Sequence, residues 1–304
     1  MKKILLDTYG ADLGEEEIIF GGIDALNEIP DLFIEFYGTE ELIRSLLSDA
    51  GIDESRYAVF GATDFITNHD NPMDIFRSRN DSSMALALNA LKKDNKALGL
   101  LSAGNTGALM VGSISRIGLV HGLSAPVLCS LIPSPAGTWT ALLDCGAHLT
   151  PSASDLVLFA KLGAEFYTSR FGVKKPKVGI LSVGAEKSKG NSLTIEAHRL
   201  LSYSDLNFIG NVEGNDVQNG RCNVITTDGF SGNVLLKAIE SAGMLCANML
   251  GDKDPELYSK MQDNFNFTEL GGAYFLGINR VVVKMHGAGN RKTVVSCVKQ
   301  LKRK

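Results

Sequence analysis

Short apolar runs recur along the whole chain, and longer stretches with apolar residues at helical spacing separate most of them. The runs are KKILLD, LFIEFYG, ALGLLSAG, VLCSLI, TALLDCGA, KVGILSVG, LNFIGNVE, CNVITTDG and RVVVKMHG. Strands that read as near-continuous apolar runs are buried on both faces, and the helices between them supply the cover. This alternation predicts an α/β fold, a mostly parallel sheet with helices on both faces. Residues 1–304 then form a single α/β domain or the same fold in two lobes, since a chain of 304 residues that is 44% hydrophobic can bury a large core.

The ends of the runs are more informative than the runs. Each apolar stretch gives way to polar, Gly-rich residues: DTYGAD, SAGNTG, DCGAH, VGAEKSKGN, NVEGND, TDGFSGN and HGAGN. Ligands of open α/β sheets bind outside the carboxyl ends of the strands, so segments far apart in sequence can converge on one edge. SAGNTGALM, Ser102 to Met110, is the densest patch of small residues. Its glycines permit close backbone approach to an anion, and the first N–H groups of a following helix are unpaired and point outward. The same stretch also suits an ordinary strand–turn–helix junction, with Asn105 or Thr106 as N-cap and glycines serving packing. DGFSGN, Asp228 to Asn233, is a second candidate of this kind, and there too Asp228 reads equally as a helix cap. Lys189 sits among Gly and Ser on a strand-end loop, where a lysine can act as a point charge or lie solvated. His286 in KMHGAGN can serve proton transfer or a structural hydrogen bond.

Several function classes are disfavoured. G-x-G-x-x-G is absent and VGAEKSKGN lacks P-loop spacing, which argues against dinucleotide and NTP chemistry. A net charge of −4 and a pI near 5.8 argue against nucleic acid as the partner. Five cysteines without a C-x-x-C pair read as reduced thiols, with no metal site and no cofactor expected. The first apolar run stops at Asp7, too early for a signal peptide, and no run reaches the roughly 18 residues of a membrane span. The expected location is the cytoplasm, with peripheral contact at the inner face of the membrane as the alternative.

Taken together and in order, SAGNTGALM, NDSSMALAL, LLDCGAH, GAEKSKGN, GNVEGND, TDGFSGNVLLKAIE and GGAYFLGINRVVVKMHG resemble the phosphate acyltransferase PlsX family over nearly the whole chain. The resemblance implies a Rossmann-like fold related to isocitrate dehydrogenases and phosphotransacetylases, and a homodimer. It also implies a reaction in which inorganic phosphate displaces acyl carrier protein from a long-chain acyl thioester, giving acyl phosphate for phospholipid synthesis. On that reading Ser102, Gly104, Asn105, Thr106 and Gly107 bind phosphate. Lys189 is the cation, Asn233 with the backbone N–H groups of GFSGN donates to the oxyanion, Asp228 orients Lys189 or another donor, and His286 completes the catalytic set. Ser82, Ser83, Gly229 and Gly232 are expected to contact substrate.

This sequence also departs from the family pattern. Tyr9 and Ala11 replace Met and Gly, Ala125 and Asn215 replace arginines, and His148 and Ser182 replace asparagines. Those losses keep two alternatives open, a divergent paralogue that binds acyl carrier protein without catalysis and an acyltransferase for another acyl thioester; separately, Cys145 as nucleophile with His148 as base would give a covalent route. An acidic carrier calls for a basic face. The candidates are Lys174, Lys175 and Lys177, and the tail Lys299, Lys302, Arg303 and Lys304. The segment 241–267 is expected to give weak or no membrane association, with Met244, Leu245, Met249 and Leu250 packed in a dimer core.

Overall fold

The computed structural model describes residues 1–134, 137–250, 254 and 271–302. Two compact units emerge, the first comprising Met1–Gly122 and Phe267–Arg303, the second Leu123–Asn266 with Lys304.

In the first unit, β1 (Lys2–Asp7), α1 (Glu15–Glu28), β2 (Leu32–Gly38), α2 (Glu40–Asp49) and β3 (Tyr57–Gly61) follow one another as β–α–β units. Next come a short helix α3 (Asp74–Arg77), α4 (Ser83–Lys93), β4 (Ala97–Ser102) and α5 (Thr106–Gly112), which continues as a π-helical turn over Ser113–Ile117. The order in this part of the sheet is β3-β2-β1-β4, all parallel. The order reverses between β1 and β4, the switch point at which such sheets open a crevice beyond the strand ends. The four C-terminal residues of β1 and of β4 are buried, as the apolar runs require.

The second unit begins with β5 (Val127–Pro133) and β6 (Trp139–Leu143), an antiparallel pair. It continues through α6 (Ala153–Phe171), β7 (Lys177–Leu181), α7 (Ser192–Ser202), β8 (Asn207–Val212), β9 (Val224–Thr226) and α8 (Gly229–Leu250). Within it β6, β9, β7 and β8 lie side by side and parallel. Their carboxyl ends therefore share one edge. A capping box between Ser152 and Asp155 starts α6, and Gly172, at φ 70°, ends it in the left-handed conformation that favours glycine. Leu156, Phe159, Ala160, Gly163, Ala164 and Tyr167 form its buried stripe.

The chain then returns to the first unit. There β10 (Gly272–Leu276) runs antiparallel to β11 (Val282–Met285), β11 lies parallel to β4, and α9 (Arg291–Lys302) packs on α1. Every predicted run forms a strand. The strands the reading missed are β3, half-exposed at the sheet edge, and the short antiparallel β10. Among the described residues no helix is long and apolar enough to cross a membrane.

Candidate functional site

At the switch point of the first unit, three adjacent parallel strands end in polar residues that share one register. Asp7 of β1 and Lys284 of β11 both pair with Ser102 of β4. The Ser102 hydroxyl donates to Asp7 Oδ2 at 2.7 Å and accepts the Gly104 N–H at 3.2 Å. Lys284 Nζ donates to the carbonyls of Ala103 at 2.9 Å and Met285 at 2.6 Å. Burial pushes the Asp7 carboxyl up to about 6 and the Lys284 ammonium down to about 8. Asp7 Oδ1 is buried, and among the described residues it meets no donor at full hydrogen-bonding geometry.

This network engages much of the SAGNTG turn internally. Ser102 is fully buried on Asp7, and Asn105 caps α5 by accepting the Ala108 N–H at 3.0 Å, while its amide donates to Thr67 O. A Cβ at Gly104 would lie 2.8 Å from Met84 Cε, and one at Gly107 2.7 Å from Pro72 Cγ. Gly10, at φ 96°, permits the β1 loop to approach, since a Cβ there would come 2.7 Å from the Gly104 Cα. The junction reading of this stretch thus holds for Ser102, Gly104, Asn105 and Gly107. Facing outward are Thr106, which is exposed, and the N–H groups of Thr106 and Gly107, which find no acceptor among the described residues. Ser82 is buried and caps α4, donating to Arg79 O, and Ser83 is buried beside Asp7. His286 Nδ1 accepts the Ala288 N–H, which shapes its own turn.

In the second unit the loops after β6, β9, β7 and β8 leave from the same edge. Asp144, wholly buried, organises the first of them. Its Oδ1 accepts the Leu128 N–H, and its Oδ2 accepts the Ala147 and His148 N–H groups and faces His148 Nδ1 at 3.3 Å. The His148 carbonyl in turn accepts the Gly229 N–H at 2.7 Å, seating the start of α8 against this loop. Gly232 is obligatory there, because a Cβ would collide with the Asp144 carbonyl. Asn233 is exposed and abuts Gly146, whose Cβ would come 4.0 Å from the Asn233 amide oxygen.

Two role assignments change on this geometry. Asp228 Oδ1 accepts the Ser231 N–H at 2.8 Å, so this carboxylate caps α8 and forms no ion pair with Lys189. The N–H groups of Gly229, Ser231 and Gly232 are already bound, to His148 O, Asp228 Oδ1 and Asp228 O. The Asn233 side chain is an exposed polar donor on these first turns, beside the Phe230 N–H and the Ser231 hydroxyl. Lys189 is itself exposed, on the loop after β7, with no carboxylate paired to it among the described residues. Ser182, one of the departures, donates to the Lys189 carbonyl at 3.0 Å.

The cysteine route loses its support. Cys145 is buried, its Sγ lies 3.2 Å from the Leu142 carbonyl, and burial pushes the thiol up to about 12, so no thiolate is available near neutral pH. The basic clusters also differ from expectation. Lys174 and Lys175 line a groove of about 400 Å³ at the amino ends of β7 and β8, the opposite end from the Lys189 loop. Lys299 and Lys302 pair with Glu28 and Asp31, and 303–304 lie outside the described residues. Sequence reasoning assigned no role to Asp7, Asp144, Asn211 or Lys284. Their shared signal is a polar side chain where an apolar run ends.

Comparison with known proteins sets this geometry in a lineage. A family model described as "Fatty acid synthesis protein" matches residues 2–303. The phosphate acyltransferase of Clostridium tetani is 36% identical over 311 residues, covering 98% of this chain and 92% of its own. That of Thermoanaerobacter pseudethanolicus is 36% identical over 313 residues, covering 99% and 92%. Among solved structures, a phosphotransacetylase from Streptococcus pyogenes aligns with TM-score 0.66 at 15% identity over 99% of this chain and 93% of that one. The EutD phosphotransacetylase from Staphylococcus aureus aligns with TM-score 0.62 at 15% identity, over the same shares. These two likenesses establish the fold.

Proposed function

We infer the reaction from one premise: this chain belongs to the phosphate acyltransferase (PlsX) family of fatty acid and phospholipid synthesis. It is an enzyme that transfers an acyl group to phosphate. The donor we assign is a long-chain acyl thioester of acyl carrier protein. A phosphate oxygen attacks the thioester carbonyl, the tetrahedral intermediate collapses with cleavage of the C–S bond, and the carrier thiol leaves with a proton as acyl phosphate forms. Thiols ionise near pH ~8.5, so the leaving group needs little assistance, and phosphate near neutral pH is nucleophilic without an activating triad. The enzyme's task is to hold the partners and to stabilise charge.

In the second unit Lys189 offsets the charge of phosphate, and the Asn233 amide donates to the oxyanion. Asp228 acts on Asn233 through the helix it caps. In the first unit, taken by itself, the Thr106 hydroxyl and the Thr106 and Gly107 N–H groups form an anion-binding turn, held by Ser102, Gly104 and Asn105. His286 is assigned to proton transfer at that unit's edge, and Ser82, Ser83, Gly229 and Gly232 support the loops that meet substrate. The observation that carries this reading is Lys189, exposed and without an ion-pair partner among the described residues, at the carboxyl edge of a chain whose relatives are phosphate acyltransferases. Lys189→Met is expected to raise the KM for phosphate and to lower kcat by roughly 10²-fold, the scale of losing one charge-stabilising group. Undiminished acyl phosphate formation would remove Lys189 from the mechanism.

The active species is a homodimer, and its location is cytoplasmic with weak or no membrane association. Phe230, Val234, Met244, Leu245 and Met249 are all more than half exposed on α8, which supports burial of that helix against a second copy. The remainder of the segment 241–267, for which weak or no membrane association is expected, lies outside the described residues apart from 254.

A further inference from the structure

The loop from Ser182 to Gly190 carries Lys189, yet it has no secondary structure of its own to fix its course. One buried side chain gathers it. Asn211, on β8 and 2% exposed, directs its amide nitrogen at three loop carbonyls: Gly184 O at 3.1 Å, Glu186 O at 2.8 Å and Lys189 O at 3.3 Å. Those carbonyls sit on both sides of the bend, so a single amide closes the loop like a clasp. The Lys189 N–H adds a turn onto Glu186 O at 2.9 Å, and Ser182 Oγ reaches the same Lys189 carbonyl.

The orientation of the Asn211 amide is fixed by chemistry. Three carbonyl oxygens can be met only by the NH2 end, because the oxygen end has no hydrogen to give. Asn211 Oδ1 must then face the other way, where it lies 2.8 Å from His198 Nδ1 on α7. A short contact between an amide oxygen and a ring nitrogen requires the hydrogen to sit on that nitrogen, so His198 carries a proton on Nδ1. The ring is held in place by an edge contact with Phe208, at 5.1 Å between centroids, and Gly210, at φ 97°, leaves room beside it.

We infer that Asn211, oriented by His198, is a positioning residue that sets the place of Lys189 for phosphate. This inference rests on the assignment of Lys189 above. Neither residue touches substrate. Their effect passes through the loop backbone, and displacement of a charged group by about 1 Å from its working position is enough to cost up to 10²-fold in rate.

The test is the phosphate dependence of acyl phosphate formation from palmitoyl-acyl carrier protein by the full-length protein, measured for Asn211→Ala and for three His198 variants. His198→Asn places an amide nitrogen where Nδ1 stood and keeps the donor, whereas His198→Gln places one where Nε2 stood, and His198→Leu has none. His198→Leu and His198→Gln are expected to raise the KM for phosphate by about tenfold with the KM for the carrier unchanged, and His198→Asn to stay within about twofold of wild type. Asn211→Ala should match or exceed the larger effect. Equal phosphate KM values across all the His198 variants would overturn the inference. Lys189→Met, run alongside, separates the two claims: an inert Lys189→Met defeats the assignment of Lys189, while an impaired Lys189→Met beside inert His198→Leu and Asn211→Ala defeats the clasp alone. Where Asn211→Ala fails to fold, imidazole nitrogen NMR of the wild type decides the geometry: protonated Nδ1 is required, and a bare Nδ1 contradicts it.

Discussion

For single polar residues at strand ends, the surroundings decide what each can do. Asp7 is the clearest example. Burial raises its pKa from 3.8 to about 6, so between those values the folded protein holds a proton that the unfolded chain has released. Stability therefore falls as pH rises through that window, by about 3 kcal/mol once the carboxylate is fully ionised. Asp7→Asn cannot ionise, and thermal unfolding should show it more stable than wild type at pH 8 with no gain at pH 4. An equal gain at both values would mean that ionisation is not the cause. This residue was visible in the sequence only as the end of KKILLD, because burial of one carboxylate is a property of three strands meeting and not of the run that bears it. Ser102 and Asp228 teach the same lesson. Neither residue type reveals its partner in sequence: Ser102 donates to Asp7 Oδ2, and Asp228 accepts the Ser231 N–H as a helix cap.

At the level of elements the sequence was far more legible. Continuous apolar runs have few alternatives to buried parallel strands, and all of those identified became strands. The two that escaped, β3 and β10, are a half-exposed edge strand and a short antiparallel one, for which the apolar signal is weak. Helix α8 shows what periodicity cannot supply. Its apolar residues were legible, but the seat of its first turn depends on Gly232 lying against the Asp144 carbonyl, a contact between residues distant in sequence. Gly232→Ala forces the helix start away from that loop and should lower stability by about 1–3 kcal/mol. It should also reduce kcat, because Asn233 is on the displaced turn. A denaturant midpoint unchanged from wild type would show that α8 is not held there.

For the whole molecule, family membership accounts for the reaction class, while the acyl carrier protein donor and the homodimer are proposals. An acidic carrier docks by long-range attraction, so its KM should rise with ionic strength, and a KM independent of salt would rule out electrostatic docking. The two basic clusters that stood out in sequence differ in their surroundings. One lines the amino end of its strands, and the tail lysines are paired with acids of α1. Linear sequence shows charge but not its neighbours. Flotation with anionic liposomes should leave most of the protein in the soluble fraction at physiological salt, and co-flotation of most of it would contradict the assignment. The departures at Ala125, His148, Ser182 and Asn215 make activity itself the decisive question. The most direct measurement incubates the purified protein with palmitoyl-acyl carrier protein, with and without inorganic phosphate, and follows free carrier and palmitoyl phosphate. Release of carrier that requires phosphate, matched by an equal amount of palmitoyl phosphate, is the predicted result. Carrier binding without any phosphate-dependent release would contradict it.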